Sequence, residues 1–209
     1  MNYTVAQIDA LREQIGRLLS PFRFSHTLGV ERTAASLAML YCPERELMLR
    51  AAALLHDVTK ENTLARQMEI FHQYGVTPTE EQLSVPPTLH ALTAALIIPD
   101  EYPAFAEREL IDAVRSHSTG HGEMTLFDKI LYLSDYIEDT RKYEDCIALR
   151  KEFFSAEPEK MGEVERMRHL DLVLLHAIEL TVDELASAGK IIESGTLAAR
   201  ENLKKELGI

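Results

Sequence analysis

The sequence predicts an all-α protein, and three observations carry that prediction. Apolar residues recur at three- and four-residue spacing through almost every segment, the pattern of helices with one buried face. No segment of useful length alternates apolar and polar residues with a period of two. Proline- and glycine-containing stretches punctuate the periodic runs.

Taken in order, Thr4 and Gln7 have capping-box spacing in front of "VAQIDALREQIGRLL", and Ser20-Pro21 closes that helix. A second helix is expected over Ser25 to Tyr41, and a third from Pro43 to about His56. "ENTLARQMEIFHQYG" reads as a fourth, stopped at Gly75. "VTPTEEQLSVPPT" is loop-like, with Pro78, Pro86 and Pro87 as punctuation. Thr88 can cap "LHALTAALII", and Pro99 to Pro103 is expected to break the chain again. Residues 104–116 form another helix, ending at the loop "SHSTGHGE". Thr125 opens the strongly apolar "LFDKILYLSDYIEDT". From Tyr143 onward come three more helical stretches, the last being "GTLAARENLKKEL". There is no internal repeat and no low-complexity tract.

Composition narrows the partners. The chain has 209 residues, 46% of them hydrophobic, which is enough for a real core and argues against disorder. With 34 acidic against 22 basic side chains the net charge is −12, which disfavours nucleic acid and anionic membrane as partners. A phosphorylated small molecule stays open, because a local site or a bound cation can reverse the field. "MNYTVAQIDALREQ" shows no basic segment followed by an apolar one, and no run approaches bilayer-spanning length. Cys42 and Cys146 lack metal or redox spacing and suit a reducing compartment. The expected setting is the cytoplasm.

The chemistry is concentrated at helix ends. In "AAALLHDVTK" an apolar run meets His56 and Asp57 side by side, and a carboxylate so placed needs a cation or strong donors. His26, His90 and His117 are also expected near helix termini, and Asp135 interrupts the apolar run "ILYLSDYI". A helical bundle could bring this set to one point, and imidazole with carboxylate suits Fe, Mn, Zn or Ni. A histidine near a helix end also serves as a cap, and Asp135 could be a core carboxylate bonded to a serine or tyrosine. On spacing alone both readings stand. His72, His169 and His176 sit mid-helix and are read as structural.

The order His26, His56-Asp57, His90, His117, Asp135 resembles the HD-domain phosphohydrolases. "SHTLGVERTAASLA", "AALLHDVTK", "LHALTAALI", "AVRSHSTG" and "DKILYLSDYIEDTR" are similar to the YqeK group of that superfamily, as is the C-terminal "HAIELTVDELASAGKIIESGTLAARENL". The resemblance implies one HD-type helical bundle over 1–209, with a core of about 20–142 and additional C-terminal helices over 143–209. It implies symmetrical bis(5′-nucleosyl)-tetraphosphatase activity, in which a metal-activated water splits diadenosine tetraphosphate into two ADP. It also implies two divalent or trivalent metal ions, usually iron, with Mn, Ni, Zn or Mg as alternatives. By the same carry-over, His26, His56, Asp57 and Asp135 hold the first ion. Asp57 bridges to a second, which His90 and His117 also hold. Lys60 faces substrate phosphate and joins Asp57 in catalysis, while Arg141 and the loop of Ser118, Thr119, Gly120 and His121 meet the nucleotide. A homodimer is compatible with the pattern.

This chain departs from the group at three places. His121 stands where an arginine is common, Thr88-Leu89 where an aromatic is common, and Ala91 where a glycine is usual. None is a metal ligand, so the departures bear on substrate preference. His121 stays open between a phosphate donor and an exposed loop histidine. The alternative enzyme is an HD-family phosphohydrolase of another nucleotide, a nucleoside monophosphate or a cyclic nucleotide. A regulatory nucleotide-binding module is the alternative outside enzymes, and its expected sign is a missing ligand. All six ligand positions are filled.

Overall fold

The computed structural model describes residues 3–209. Among them are eleven α-helices, four short 3-10 turns and no strand. Helix α1 (Val5–Leu18) starts where expected: Thr4 Oγ1 accepts the Gln7 N–H at 3.3 Å, and Gln7 Oε1 accepts the Thr4 N–H at 2.9 Å. Its buried stripe is Ile8, Leu11 and Ile15. Helix α2 (Pro21–Tyr41) begins four residues earlier than its apolar pattern predicts. Ser20 caps the Arg23 N–H, and Pro21 takes the first position, where a missing N–H costs nothing. His26 therefore sits in the second turn rather than the first.

Helix α3 (Glu46–Leu55) is buried almost all round, from Met48 through Leu55. Its alanines let neighbouring helices approach closely, and it packs against α1, α2, α7 (Arg108–Ser116) and α8 (Leu126–Ile137). Arg12 of α1 makes a two-pronged bond to Glu31 of α2, at 2.8 and 2.6 Å, and Arg50 of α3 adds a third donor at 3.0 Å. This buried carboxylate pins the three helices together, its charge matched by two guanidinium groups.

Helix α4 (Leu64–Gln73) is capped by Thr63, so it starts later than the fourth expected helix. The loop-like stretch holds a short helix, α5 (Glu80–Ser84), which Thr79 and Gln82 cap reciprocally. Helix α6 (Leu89–Glu101) runs through Pro99 and ends at Glu101, so the break expected over Pro99 to Pro103 falls at its far end. In the last turn a proline removes one hydrogen bond, and the Tyr102 N–H still reaches Ile98 O. Thr88 makes no capping bond; its hydroxyl donates to Val85 O at 2.9 Å. The helix expected over 104–116 starts at Arg108, after a 3-10 turn over Pro103–Phe105.

Helix α8 opens with a capping box between Thr125 and Asp128. Helices α9 (Glu144–Ser155), α10 (Glu163–Ser187) and α11 (Ser194–Leu207) follow, α9 and α10 packing on α8 and α11 on α10. One apolar cluster extends from Tyr3 to Leu207 through these layers. Among the described residues, no helix is long and apolar enough to cross a membrane.

Candidate metal centre

Four helix termini and the last turn of α8 deliver the expected residues to one place. His56 is the residue at which α3 ends, and tight turns follow it: Val58 N–H to Leu55 O, then Lys60 N–H to Asp57 O. Successive residues on a continuous helix diverge by about 100°. Ending the helix at this point lets His56 and Asp57 face a common space. His90 lies in the first turn of α6, His117 caps the C-terminal end of α7, and Asp135 sits in α8. Four of these, His56, Asp57, His90 and His117, are almost completely buried, and His26 nearly so.

Each histidine is held through one ring nitrogen so that the other faces inward. Nδ1 of His56 lies 2.6 Å from Ala53 O, that of His90 2.7 Å from Pro87 O, and that of His117 2.7 Å from Val114 O. Nδ1 of His26 lies 3.1 Å from the carboxylate of Glu138. Such acceptors fix the proton on Nδ1 and leave Nε2 as the free lone pair. The four Nε2 atoms surround Asp57. Oδ2 of Asp57 lies 3.6 Å from His26 and 3.5 Å from His56, while Oδ1 lies 3.1 Å from His90 and 3.8 Å from His117. Asp135 Oδ1 closes the first group, 3.0 Å from His26 Nε2 and 3.9 Å from His56 Nε2.

These donors fit metal ions. His26 Nε2 and His56 Nε2 are buried without an aligned hydrogen-bond partner, although carboxylate oxygens stand close. Nε2 of His90 and Nε2 of His117 approach to 3.1 Å, an arrangement of two lone pairs that calls for a cation between or beside them. Three overlapping groups can each hold an ion: His26-His56-Asp57, His56-His117-Asp135 and Asp57-His90-His117. Nitrogen and carboxylate donors of this kind suit first-row transition metals.

The electrostatics agree with the geometry. Burial alone would raise both aspartates. His56, His117 and His90 around Asp57, and Arg141 with His26 around Asp135, outweigh it and hold both carboxyls well below the usual range. Burial would lower His26, but Asp135 and Glu138 raise it to about 9, so this corner of the centre attracts positive charge. On the other side burial lowers His90 to about 4 and lowers His117 too, leaving both rings neutral and able to ligate near pH 7.

The remaining expected residues divide. Lys60 Nζ stands 3.3 Å from both ring nitrogens of His90, and burial lowers its pKa. Ser118 Oγ is 3.1 Å from His117 Nε2 and 3.3 Å from His90 Nε2. Arg141 grips Asp135, its Nε on the carbonyl at 2.5 Å and Nη2 on Oδ1 at 2.6 Å. Thr119 and Gly120 instead pack on the start of α11: a Cβ on Gly195 would meet Gly120 O at 2.9 Å, and Gly120 itself has φ +68°. His121 turns away, accepting the Glu123 N–H at 3.2 Å and standing 3.3 Å from Asp128.

Two further residues complete the centre, and helix-end spacing does not reveal them. Arg23 Nη1 donates to Asp57 Oδ2 at 2.7 Å. Glu138 is fully buried, and besides His26 it accepts the Thr140 N–H and hydroxyl at 2.6 and 2.7 Å. Each stands three residues from a ligand, Arg23 before His26 and Glu138 after Asp135, and that spacing is the signal that could have found them.

An all-helical bundle with histidine and aspartate donors at its helix ends defines a metal-binding protein of the histidine–aspartate type. The HD domain family model matches residues 23–140, more than half of the chain, and the chain belongs to that family. It is 33% identical to the symmetrical bis(5′-nucleosyl)-tetraphosphatase of Halalkalibacterium halodurans, over 60% of this chain and 65% of that protein. It is 32% identical to the protein of the same name from Staphylococcus aureus, over 57% of this chain and 60% of that one. The matches thus span less than two thirds of these two relatives. A crystal structure from Clostridium acetobutylicum, described as a predicted HD superfamily hydrolase involved in NAD metabolism, superposes with a TM-score of 0.81. It shares 26% identity, covering 95% of this chain and 97% of that one.

Proposed function

We propose that this chain is a metal-dependent phosphohydrolase of dinucleoside polyphosphates, splitting diadenosine tetraphosphate symmetrically into two ADP. The observation that carries the reading is the convergence of four Nδ1-pinned imidazoles on the two oxygens of Asp57. The names of the bacterial relatives supply the substrate class. In this reading His26, His56, Asp57 and Asp135 hold one ion, and Asp57, His90 and His117 hold a second, with iron as the metal. When bound, such a pair supplies an activated water and neutralises charge on the phosphoryl oxygens.

The chain's own contribution is positioning and charge. Lys60 beside His90 offers an ammonium group to a phosphate at the second ion. Arg23 and Arg141, each on a ligand carboxylate, bring guanidinium charge to the first. Ser118 offers a hydroxyl between His90 and His117. All four are partly buried, which weakens screening by bulk water without removing it. Chromatography of the products tests the reading. Two ADP are expected; ATP plus AMP would reject symmetric cleavage, and no turnover by iron- or manganese-loaded protein would reject the activity.

One observation favours a second reading, hydrolysis of a nucleoside monophosphate or cyclic nucleotide. His121 is engaged with Glu123 and Asp128, so the loop after His117 offers no free cation to a long polyphosphate. Turnover of AMP, dAMP and cyclic di-AMP beside diadenosine tetraphosphate separates the two.

A further inference from the structure

Beside His26 the surface opens into a cleft of about 570 Å³. One wall is the start of α2, with Phe22 and Arg23; the other is the segment after α8, with Arg141, Lys142 and Tyr143. Phe22 is 81% exposed and Tyr143 72% exposed. Single exposed apolar side chains are ordinary, but two aromatic rings on separate elements lining one cleft are not scattered. The cleft is also cationic. Lys142 is exposed and makes no ion pair among the described residues, and Arg23 Nε is buried without an acceptor. Two exposed rings, an exposed lysine and two arginines bonded to Asp57 and Asp135 in one cleft match a ligand with a π face at one end and an anion at the other.

We propose that this cleft is the nucleoside subsite, with the base stacked on Phe22 and Tyr143 and the adjoining phosphate on Lys142 and Arg23. The assignment rests on the nucleotide-hydrolase reading and adds to it where one half of the substrate lies. The cleft on the His90 side, about 270 Å³ and lined by Lys60, Asn62, Pro86 and Pro87, carries no phenylalanine or tyrosine. Stacking is therefore one-sided, and one nucleoside is gripped more firmly than its twin. Base–aromatic stacking tolerates any base, because every base has a π face.

The chain contains no tryptophan, so Tyr143→Trp installs a single fluorescent reporter that can still stack. In the metal-loaded protein, ADP is expected to quench that fluorescence and inorganic pyrophosphate to leave it unchanged. By titration calorimetry, Phe22→Ala and Tyr143→Ala are each expected to weaken ADP binding about tenfold, and pyrophosphate binding less than about twofold. Both side chains are exposed, and circular dichroism checks that the variants fold. ADP binding within twofold of the parent in both variants, or equal losses for ADP and pyrophosphate, would overturn the subsite. If the parent cleaves diadenosine tetraphosphate and the variants bind ADP normally, the subsite alone fails. If the parent cleaves no dinucleoside polyphosphate, the underlying reading fails instead.

Discussion

Each oxygen of the Asp57 carboxylate faces a different pair of histidines, Oδ2 toward His26 and His56 and Oδ1 toward His90 and His117. Either oxygen alone completes one group of donors; together they make Asp57 the residue that both groups share. Alanine removes both oxygens, and asparagine replaces one with an amide that donates rather than ligates. Asp57→Ala and Asp57→Asn are therefore expected to retain below about a tenth of the parent's metal by elemental analysis. Helicity should persist, because Asp57 lies in the turn beyond α3 and its removal leaves the apolar α3 core intact. Full metal content in either variant would contradict a shared carboxylate. His90→Ala or His117→Ala should instead empty one group and spare the other.

Among the elements, the segment leaving α8 holds the centre through Glu138. Its carboxylate aligns His26 and is itself pinned by Thr140. A partner of this kind fixes the ring's tautomer, and its loss typically weakens metal binding about 10–100-fold. The approach needs a residue without a side chain on α2. A Cβ at Gly29 would stand 2.0 Å from Glu138 Oε2 and 2.9 Å from its Cδ. Because that carboxylate is bonded on both sides and fully buried, it cannot swing aside cheaply. Gly29→Ala is expected to cost about 1–3 kcal/mol in stability by overpacking. It should also weaken metal binding at the His26 group about as much as Glu138→Gln does. Denaturant melts and metal titration check the two effects, and a Gly29→Ala protein with parental metal affinity would show that Glu138 does not act through His26.

At the scale of the whole molecule, helix after helix could be read from the sequence because caps and apolar period agree, as at Thr4 and Thr125; α3, without a side-chain cap, starts at Glu46 after a 3-10 turn over Pro43–Arg45 rather than at Pro43. The six expected ligand positions do lie together, but spacing marked them only as candidates at helix termini or apolar runs, and the resemblance to HD-domain proteins supplied the set. Arg23 and Glu138 offered only their three-residue spacing from a ligand, and a charged residue outside an apolar run looks solvated until the fold covers it. Pro99 located the break only loosely, for a different reason: a proline in the last turn costs one hydrogen bond, and propensity alone does not say which turn it occupies. The ionic part of the contact with the C-terminal layer was equally hidden, because it is made by Lys129, a lysine within an apolar stretch. Lys129 of α8 is buried and donates to Asp171 of α10 at 2.8 Å and to Glu206 of α11 at 2.7 Å. Burial lowers its pKa, but the two carboxylates outweigh burial and raise it above the ordinary 10.5. A group whose pKa is raised on folding contributes fully below its unfolded value and loses that contribution as pH rises through the folded one. Lys129→Met leaves Asp171 unpaired while Glu206, 40% exposed, can hydrate, so a cost near the lower end for breaking a buried pair is expected, about 3 kcal/mol. At pH 8 that corresponds to a melting temperature lower by about 6–12 °C in a chain of this size. Above about pH 10.5 the gap between parent and variant should narrow as the parent's lysine loses its proton. Thermal melts from pH 8 to 11.5 measure this, and a gap that stays constant across the range would show that Lys129 holds the layers by packing rather than by charge.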